Sequence, residues 1–239
     1  MSSLLNLSNR LESVVNLIEY EKVIADIGCD HGYVTAELIL ANKCDKVIAT
    51  DISGKSLDKA IRFCDSLNIA NFVSFREGDG FNVIYKQDKV KLGIICGMGG
   101  MEMINILENK KLKLKNFIFQ PMRDCVKLRE YLIANNYKIT EDFLVYEDNN
   151  FYNIIKVKKG KSRLRPLEIY FGKNNFEENK QTFLQYLISE KDKLETLEEK
   201  INGLTSQNRA HLTYVNAALQ YLSDLEEGKI KYNKRRKYL

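Results

Sequence analysis

From Val23 onward, short apolar runs alternate with helical patterns, and this alternation leaves the chain few architectures. "VIADI" (23–27) reads as a strand and "YVTAELIL" (33–40) as the helix after it. "KVIATDI" (46–52) is a second strand, followed by the helical "SLDKAIRFCDSL" (56–67). "FVSFRE" (72–77), "KLGIICG" (91–97) and "NFIFQ" (116–120) give strands three to five. "KLREYLIAN" (127–135) is a helix before a sixth strand near "YKITEDFLVY" (137–146). Strands separated by helices pair in parallel, with the helices covering both faces of the sheet. The pattern breaks at "EDFLVYEDNNFYNIIKVKK" (141–159). Only a polar turn, Glu147 to Asn150, separates those two strands, and strands joined so tightly must be antiparallel. The expected fold class is α/β: a Rossmann-like sheet, parallel with a C-terminal antiparallel hairpin. A first helix is expected over residues 3–19.

Residues 160–239 follow another rule. Apolar residues recur at spacings of three and four at Leu187, Leu194, Leu197, Ile201 and Leu204, and again at Leu212, Val215, Leu219 and Leu222. Between them lies "TSQN", with Ser206 as the candidate N-cap. Two heptad-like helices with a short polar loop read as an antiparallel coiled-coil hairpin, with an ordinary helical pair as the alternative. The expected division is a ligand-binding Rossmann-like domain over 1–158 and a small helical domain over 159–239.

Charge separates the same two regions. Residues 156–239 hold 18 Lys and Arg against 11 Asp and Glu, while residues 1–155 hold 19 against 21. The net charge of +5 therefore belongs to the C-terminal third. Two acid-free clusters supply most of it: Lys156, Lys158, Lys159, Lys161, Arg163 and Arg165, then Lys229, Lys231, Lys234, Arg235, Arg236 and Lys237. Paired basic clusters point to a polyanion, with nucleic acid as the expected partner. The other reading is a solvated linker and tail. Five scattered cysteines without a C-x-x-C pair point to reduced thiols in a cytoplasmic protein and to no metal site. No apolar run approaches the ~20 residues of a membrane span, and no secretory signal pattern opens the chain. A monomer is expected.

The chemistry concentrates in "DIGCDHGYV" (26–34). A dinucleotide fingerprint would carry three glycines there, so that backbone amides could approach a pyrophosphate. This turn has Gly28 and Gly32 with Asp30 between them, and a carboxylate repels phosphate. A cationic ligand fits better. S-adenosylmethionine carries an ammonium and a sulfonium and no phosphate. Asp26 and Asp30 can accept hydrogen bonds from the ammonium. Asp51 ends the second strand where an acid grips ribose hydroxyls in nucleotide-binding α/β folds. Asp79, in "EGDGF", can accept from the adenine amino group. Each acid also has a plain structural reading as a cap or turn residue. His31 has no histidine near it in sequence, so local hydrogen bonding is expected rather than zinc. After the fourth strand, Gly97, Gly99 and Gly100 of "CGMGGM" would let a flat ligand lie on bare backbone. The [DN]-P-P-[YFW] clamp typical of exocyclic-amine methylation is absent there.

"ADIGCDHGYV", "TDIS", "EGDGF", "GMGG", "QPM" and the "YEDNNFYNII" hairpin resemble, in that order, the motifs of the bacterial tRNA adenine-22 N1-methyltransferases. The likeness covers roughly residues 3–160, and a helical C-terminal region is also expected of that family. It implies a class I methyltransferase fold, S-adenosylmethionine as cofactor, and methyl transfer to N1 of an adenine in the tRNA D-arm. Carried onto this sequence, the cofactor-binding residues are Asp26, Gly28, Asp30, His31, Gly32, Asp51, Ile52, Asp79, Gly80, Gly97, Met98 and Gly99. Those expected at the substrate are Tyr33, Gly100, Gln120, Pro121, Lys158, Lys159, Lys161, Arg163 and Arg165, with Asp26 as the candidate catalytic carboxylate. Tyr33 and Phe81 are candidates to stack on a base turned out of its helix. One departure is Met122, where the family pattern leads one to expect asparagine. The residues alone leave two alternatives open: a methyltransferase for a small metabolite, and a tRNA-binding protein without catalysis.

Overall fold

The computed structural model describes residues 4–109, 114–201 and 203–229. The expected basic tail from Lys231 to Lys237 lies outside the described residues. One sheet holds β1 (Val23–Ile27), β2 (Lys46–Asp51), β3 (Val73–Glu77), β4 (Leu92–Met98), β5 (Asn116–Pro121), β6 (Tyr137–Glu147) and β7 (Asn150–Lys159). Their order is β3-β2-β1-β4-β5-β7-β6. β1 pairs in parallel with β2 and β4, β2 with β3, and β4 with β5. β7 runs antiparallel to β5, with Asn116 opposite Lys158. The β6–β7 turn is made by Asp148 and Asn149, both at positive φ (48° and 61°), as a tight hairpin of this hand requires.

The parallel strands are apolar almost throughout because both faces are covered. Ile24, Val47, Ile94, Phe117, Ile118 and Phe119 are fully buried. Each contributes roughly 1.5–3 kcal/mol by leaving water. Around the sheet lie α1 (Asn9–Asn16), α2 (Tyr33–Leu40), α3 (Gly54–Ser66), α4 (Gly100–Asn109) and α5 (Cys125–Ala134). The first helix is much shorter than residues 3–19. Its start is delayed because the backbone N–H groups of Leu4 and Leu5 donate to the two carboxylate oxygens of buried Glu37, at 2.9 and 3.0 Å. That contact ties the leading segment to α2 in a non-helical course. The glycine run after β4 passes directly into α4.

The chain forms two compact units, Met1–Glu141 with Val145–Ser162, and Asp142–Leu144 with Arg163–Leu239. The second contains α6 (Pro166–Phe171), α7 (Lys180–Ile201) and α8 (Ser206–Glu226). Phe176 packs edge-on to Phe183 and Tyr221, with ring centroids 4.9 and 5.6 Å away. Leu187, Leu194, Val215 and Leu222 are buried along the α7–α8 seam. Ile201 is exposed, whereas Leu204, just past the end of α7, is buried. The N-cap of α8 is Thr205, not Ser206: its hydroxyl accepts the Asn208 N–H at 3.2 Å. Thr205 is the residue with extended backbone, and Ser206 is already helical. Among the described residues no helix is long and apolar enough to cross a membrane, and no group of three or more His, Cys, Asp or Glu is placed to hold a metal ion.

Candidate active site

Strand order reverses between β1 and β4, and folds of this kind bind ligands at that point, beyond the carboxyl ends of the strands. A cavity of about 470 Å³ opens there. Asp26, near the end of β1, lies within it and is 3% exposed. Burial pushes its carboxyl up to about 6, against the pull of the Thr35 hydroxyl, which donates to it at 2.6 Å. The backbone then turns sharply. Gly28 holds φ +72°, and a Cβ on it would meet the Met98 side chain across the cavity wall. The N–H groups of Gly28 and Cys29 both donate to the Thr50 carbonyl, fastening the turn to β2.

The acids of this turn are tied to one another. Asp51 accepts the N–H of Asp30 at 3.1 Å on one oxygen and the N–H of Ser53 at 2.8 Å on the other. Each oxygen keeps a further lone pair for a ligand. Asp30 pairs with His31 at 2.7 Å, and both are solvent-accessible. The His31 ring lies parallel to Tyr33 at 5.7 Å, and Tyr33 meets Phe63 edge-on. Tyr33 is 46% exposed at the edge of the cavity. From β4 come Cys96, Gly97 and Met98.

Eight of the expected residues therefore line one cavity: Asp26, Gly28, Asp30, His31, Tyr33, Asp51, Gly97 and Met98. Others do not. Gly32 serves packing, since a Cβ on it would stand 2.9 Å from that of Ala60 in α3. Ile52, Asp79 and Gly80 lie outside the cavity lining, with Ile52 and Asp79 exposed. Gly99 and Gly100 do not offer bare backbone to a ligand, because both are buried. A Cβ on Gly100 would stand 2.6 Å from the Asp124 carbonyl, and one on Gly99 would meet the Arg123 side chain. Gln120 and Pro121 are buried as well. The Gln120 carboxamide oxygen accepts from Arg10 at 2.7 Å and from the Gly97 N–H at 3.2 Å, which makes it a brace of the cavity wall. Phe81 is buried edge-on to Phe117 and cannot stack on a base.

The basic linker is also divided. Lys158 pairs with Asn116, the first residue of β5, so it sits at the amino edge of the sheet, opposite the cavity. The Lys159 ammonium donates to the Asn135 carbonyl at 2.8 Å and lies over the Tyr137 ring. Lys161 and Arg163 are exposed. Arg165 is committed to its own unit: it bonds Glu168 and the Tyr221 hydroxyl, each at 2.7 Å. A guanidinium so held is a structural brace rather than a phosphate contact.

Arg10 is the residue that sequence reasoning missed. It lines the cavity from α1, its N–H donates to Glu147 at 2.8 Å, and its guanidinium lies 5.4 Å from the Tyr152 ring centre. Nothing local to "SNRLESVV" marks it, because all these partners are distant in sequence.

The profile of the family described as tRNA (adenine(22)-N(1))-methyltransferase matches residues 24–224. The chain belongs to this family. Its relatives include the putative tRNA methyltransferase MG248 of Mycoplasma genitalium, 33% identical over 157 residues, covering 64% of this chain and 70% of that one. The tRNA (adenine(22)-N(1))-methyltransferase of Bacillus subtilis is 33% identical over 159 residues, 65% of this chain and 66% of that one. Among solved structures, M. capricolum TrmK in complex with S-adenosyl-homocysteine superposes with a TM-score of 0.79 at 29% identity, covering 91% of this chain and 98% of that one. The B. subtilis m1A22 tRNA methyltransferase TrmK gives a TM-score of 0.73 at 27% identity, covering 92% and 98%. Family membership decides between the readings that the residues left open: the chain is a tRNA methyltransferase, not an enzyme of small metabolites or a binding protein without catalysis.

Proposed function

We propose that the cavity at the carboxyl edge binds S-adenosylmethionine and that adenine 22 of a tRNA is presented at its mouth for methylation on N1. The observation that carries this reading is the charge layout of the cavity. Asp26, Asp30 and Asp51 line it together with one guanidinium, that of Arg10. That set fits a ligand bearing an ammonium, a sulfonium and a carboxylate, and it repels phosphate. The M. capricolum relative holding S-adenosyl-homocysteine supports the same assignment. Asp26 and Asp30 take the ammonium, Arg10 the carboxylate, and Asp51 the ribose hydroxyls. Gly28 and Gly97, at φ +72° and +76°, let the backbone come close.

The cofactor supplies a methyl group on a positively charged sulfur. Adenine N1 needs no deprotonation to attack it, so the residues have to orient, desolvate and stabilise charge. The adenine ring becomes cationic as the methyl arrives, and Asp26 is the candidate carboxylate to balance that charge from within the cavity. Exposed Tyr33, backed by Phe63, is the stacking surface for the base. Action on tRNA places the protein in the cytoplasm under this reading.

The test uses purified protein, labelled S-adenosylmethionine and an unmodified tRNA transcript with adenine at position 22. We expect 1-methyladenosine in the digest, and none when that adenine is replaced by guanine. Label that persists after the replacement would refute the target; protein that binds the cofactor without transfer would refute the substrate.

A further inference from the structure

The cavity that suits a cationic cofactor repels the polyanion that must reach its mouth. Cations are therefore needed on its rim. Lys158 of the basic linker is not on that rim. Lys158 lies opposite Asn116, and the five residue steps from Asn116 to Pro121 separate it from the carboxyl edge by about 16 Å along the strand. Two of the nearer cations are committed elsewhere: Arg10, by the reading above, to the cofactor carboxylate, and Arg129 to Asn153.

The turn after β5 differs. It is fastened to the turn after β4 by two backbone hydrogen bonds, Met122 N–H to the Met98 carbonyl and Gly100 N–H to the Arg123 carbonyl, each 2.9 Å. Gly97 and Met98 line the cavity, so Met122 and Arg123 stand directly beside its wall. Arg123 runs over Gly99, which has no side chain to obstruct it. Its side chain is 78% exposed, and its ion pair with Asp124 is loose, at 3.9 Å. Lys127, one helical turn further along α5, is 63% exposed and 3.4 Å from the same carboxylate. Two cations thus share one acid beside the joined turns.

We propose that Arg123, assisted by Lys127, is a phosphate contact of the catalytic unit and grips the tRNA backbone beside the nucleotide that enters the cavity. The proposal rests on the tRNA methyltransferase reading above. A guanidinium held by one loose partner keeps donors available for a phosphate, and its geometry suits two parallel hydrogen bonds. Contacts to phosphate position an RNA without reading its sequence, so target choice would stay with the cavity.

The experiment measures binding of unmodified tRNA over a salt series, together with methylation kinetics and S-adenosyl-homocysteine binding by calorimetry. The proteins are wild type, Arg123→Ala, Arg123→Lys and the double variant Arg123→Ala/Lys127→Ala. We expect Arg123→Ala to weaken tRNA binding about tenfold at low salt and to reduce the slope of log affinity against log salt by about 1. KM for tRNA should rise while kcat holds. Arg123→Lys should restore the slope, and cofactor-product affinity should stay within about twofold in every variant. Wild-type activity with an unchanged slope in the double variant overturns the proposal alone. Wild-type protein that fails to methylate the tRNA overturns the reading beneath it as well.

Discussion

Burying Asp26 carries a cost. Its carboxyl is raised from 3.8 to about 6 by burial, so its ionised form opposes folding at neutral pH. The folded state holds the proton more tightly than the unfolded chain. The corresponding stability is complete below about pH 4 and is lost as pH rises through about 6. Asp26→Asn should therefore be more stable than wild type at pH 7, by roughly 3 kcal/mol at most, with the gap closing as pH falls toward 4. Denaturant unfolding at several pH values checks this, and a destabilised variant at pH 7 would show the sign to be wrong. The same variant should bind S-adenosyl-homocysteine more weakly. Arg10→Met keeps an apolar stem and removes the guanidinium. We expect calorimetry to show a loss of about 1.5–3 kcal/mol in cofactor-product binding, the range for a hydrogen bond to a charged group. Unaltered affinity would take the carboxylate role from Arg10.

At the scale of elements, the β4–α4 turn and the β5–α5 turn work as one piece. Gly100 is where they meet, with the Asp124 carbonyl occupying the space a methyl would need. Gly100→Ala should cost about 1–3 kcal/mol of stability through overpacking, read as a lower denaturation midpoint with an unchanged slope. The helical hairpin contains a second constraint. Glu190 of α7 and His211 of α8 bond across the seam at 3.1 Å, and His211 also bonds the Tyr170 hydroxyl at 2.9 Å. A polar layer in an apolar seam fixes register at some expense of stability. His211, then Lys193, hold the Glu190 carboxyl below its ordinary range, so this pair stabilises above pH 4.5 and fades as Glu190 is protonated. Glu190→Gln should be less stable than wild type at pH 7 by about 0.5–1 kcal/mol, given partial solvent screening, and the difference should vanish in acid.

At the scale of the whole molecule, the basic residues do not share one role. Lys158 lies at the amino edge of the sheet, Arg123 stands where the turns after β4 and β5 are joined, and Arg165 is held by Glu168 in its own unit. Replacing Lys158, Lys161 and Arg163 together by alanine should lower the salt slope of tRNA binding by about 1 for each phosphate these side chains neutralise, and should leave cofactor-product affinity intact. Arg165→Ala should act differently, reducing stability because Glu168 is left buried without its cation. Equal behaviour of all four in the salt series would contradict that division.

Local sequence was enough for the order of the elements. Periodicity is a local property, and strands such as "VIADI" and "NFIFQ" are apolar because both faces are covered. It also placed Asp26, Asp30 and Asp51 at one edge, because successive parallel strands must end on the same side. Tertiary structure alone decided which neighbours those ends would have. Arg10 enters the cavity from a helix ahead of β1, and its partners Gln120 and Glu147 are 110 and 137 residues away. Gln120, Pro121, Gly99 and Gly100, read from the sequence as ligand contacts, are buried where two turns close on each other. The antiparallel return of β7 put Lys158 at the edge remote from the cavity, a consequence of strand direction and register that no stretch of the chain records.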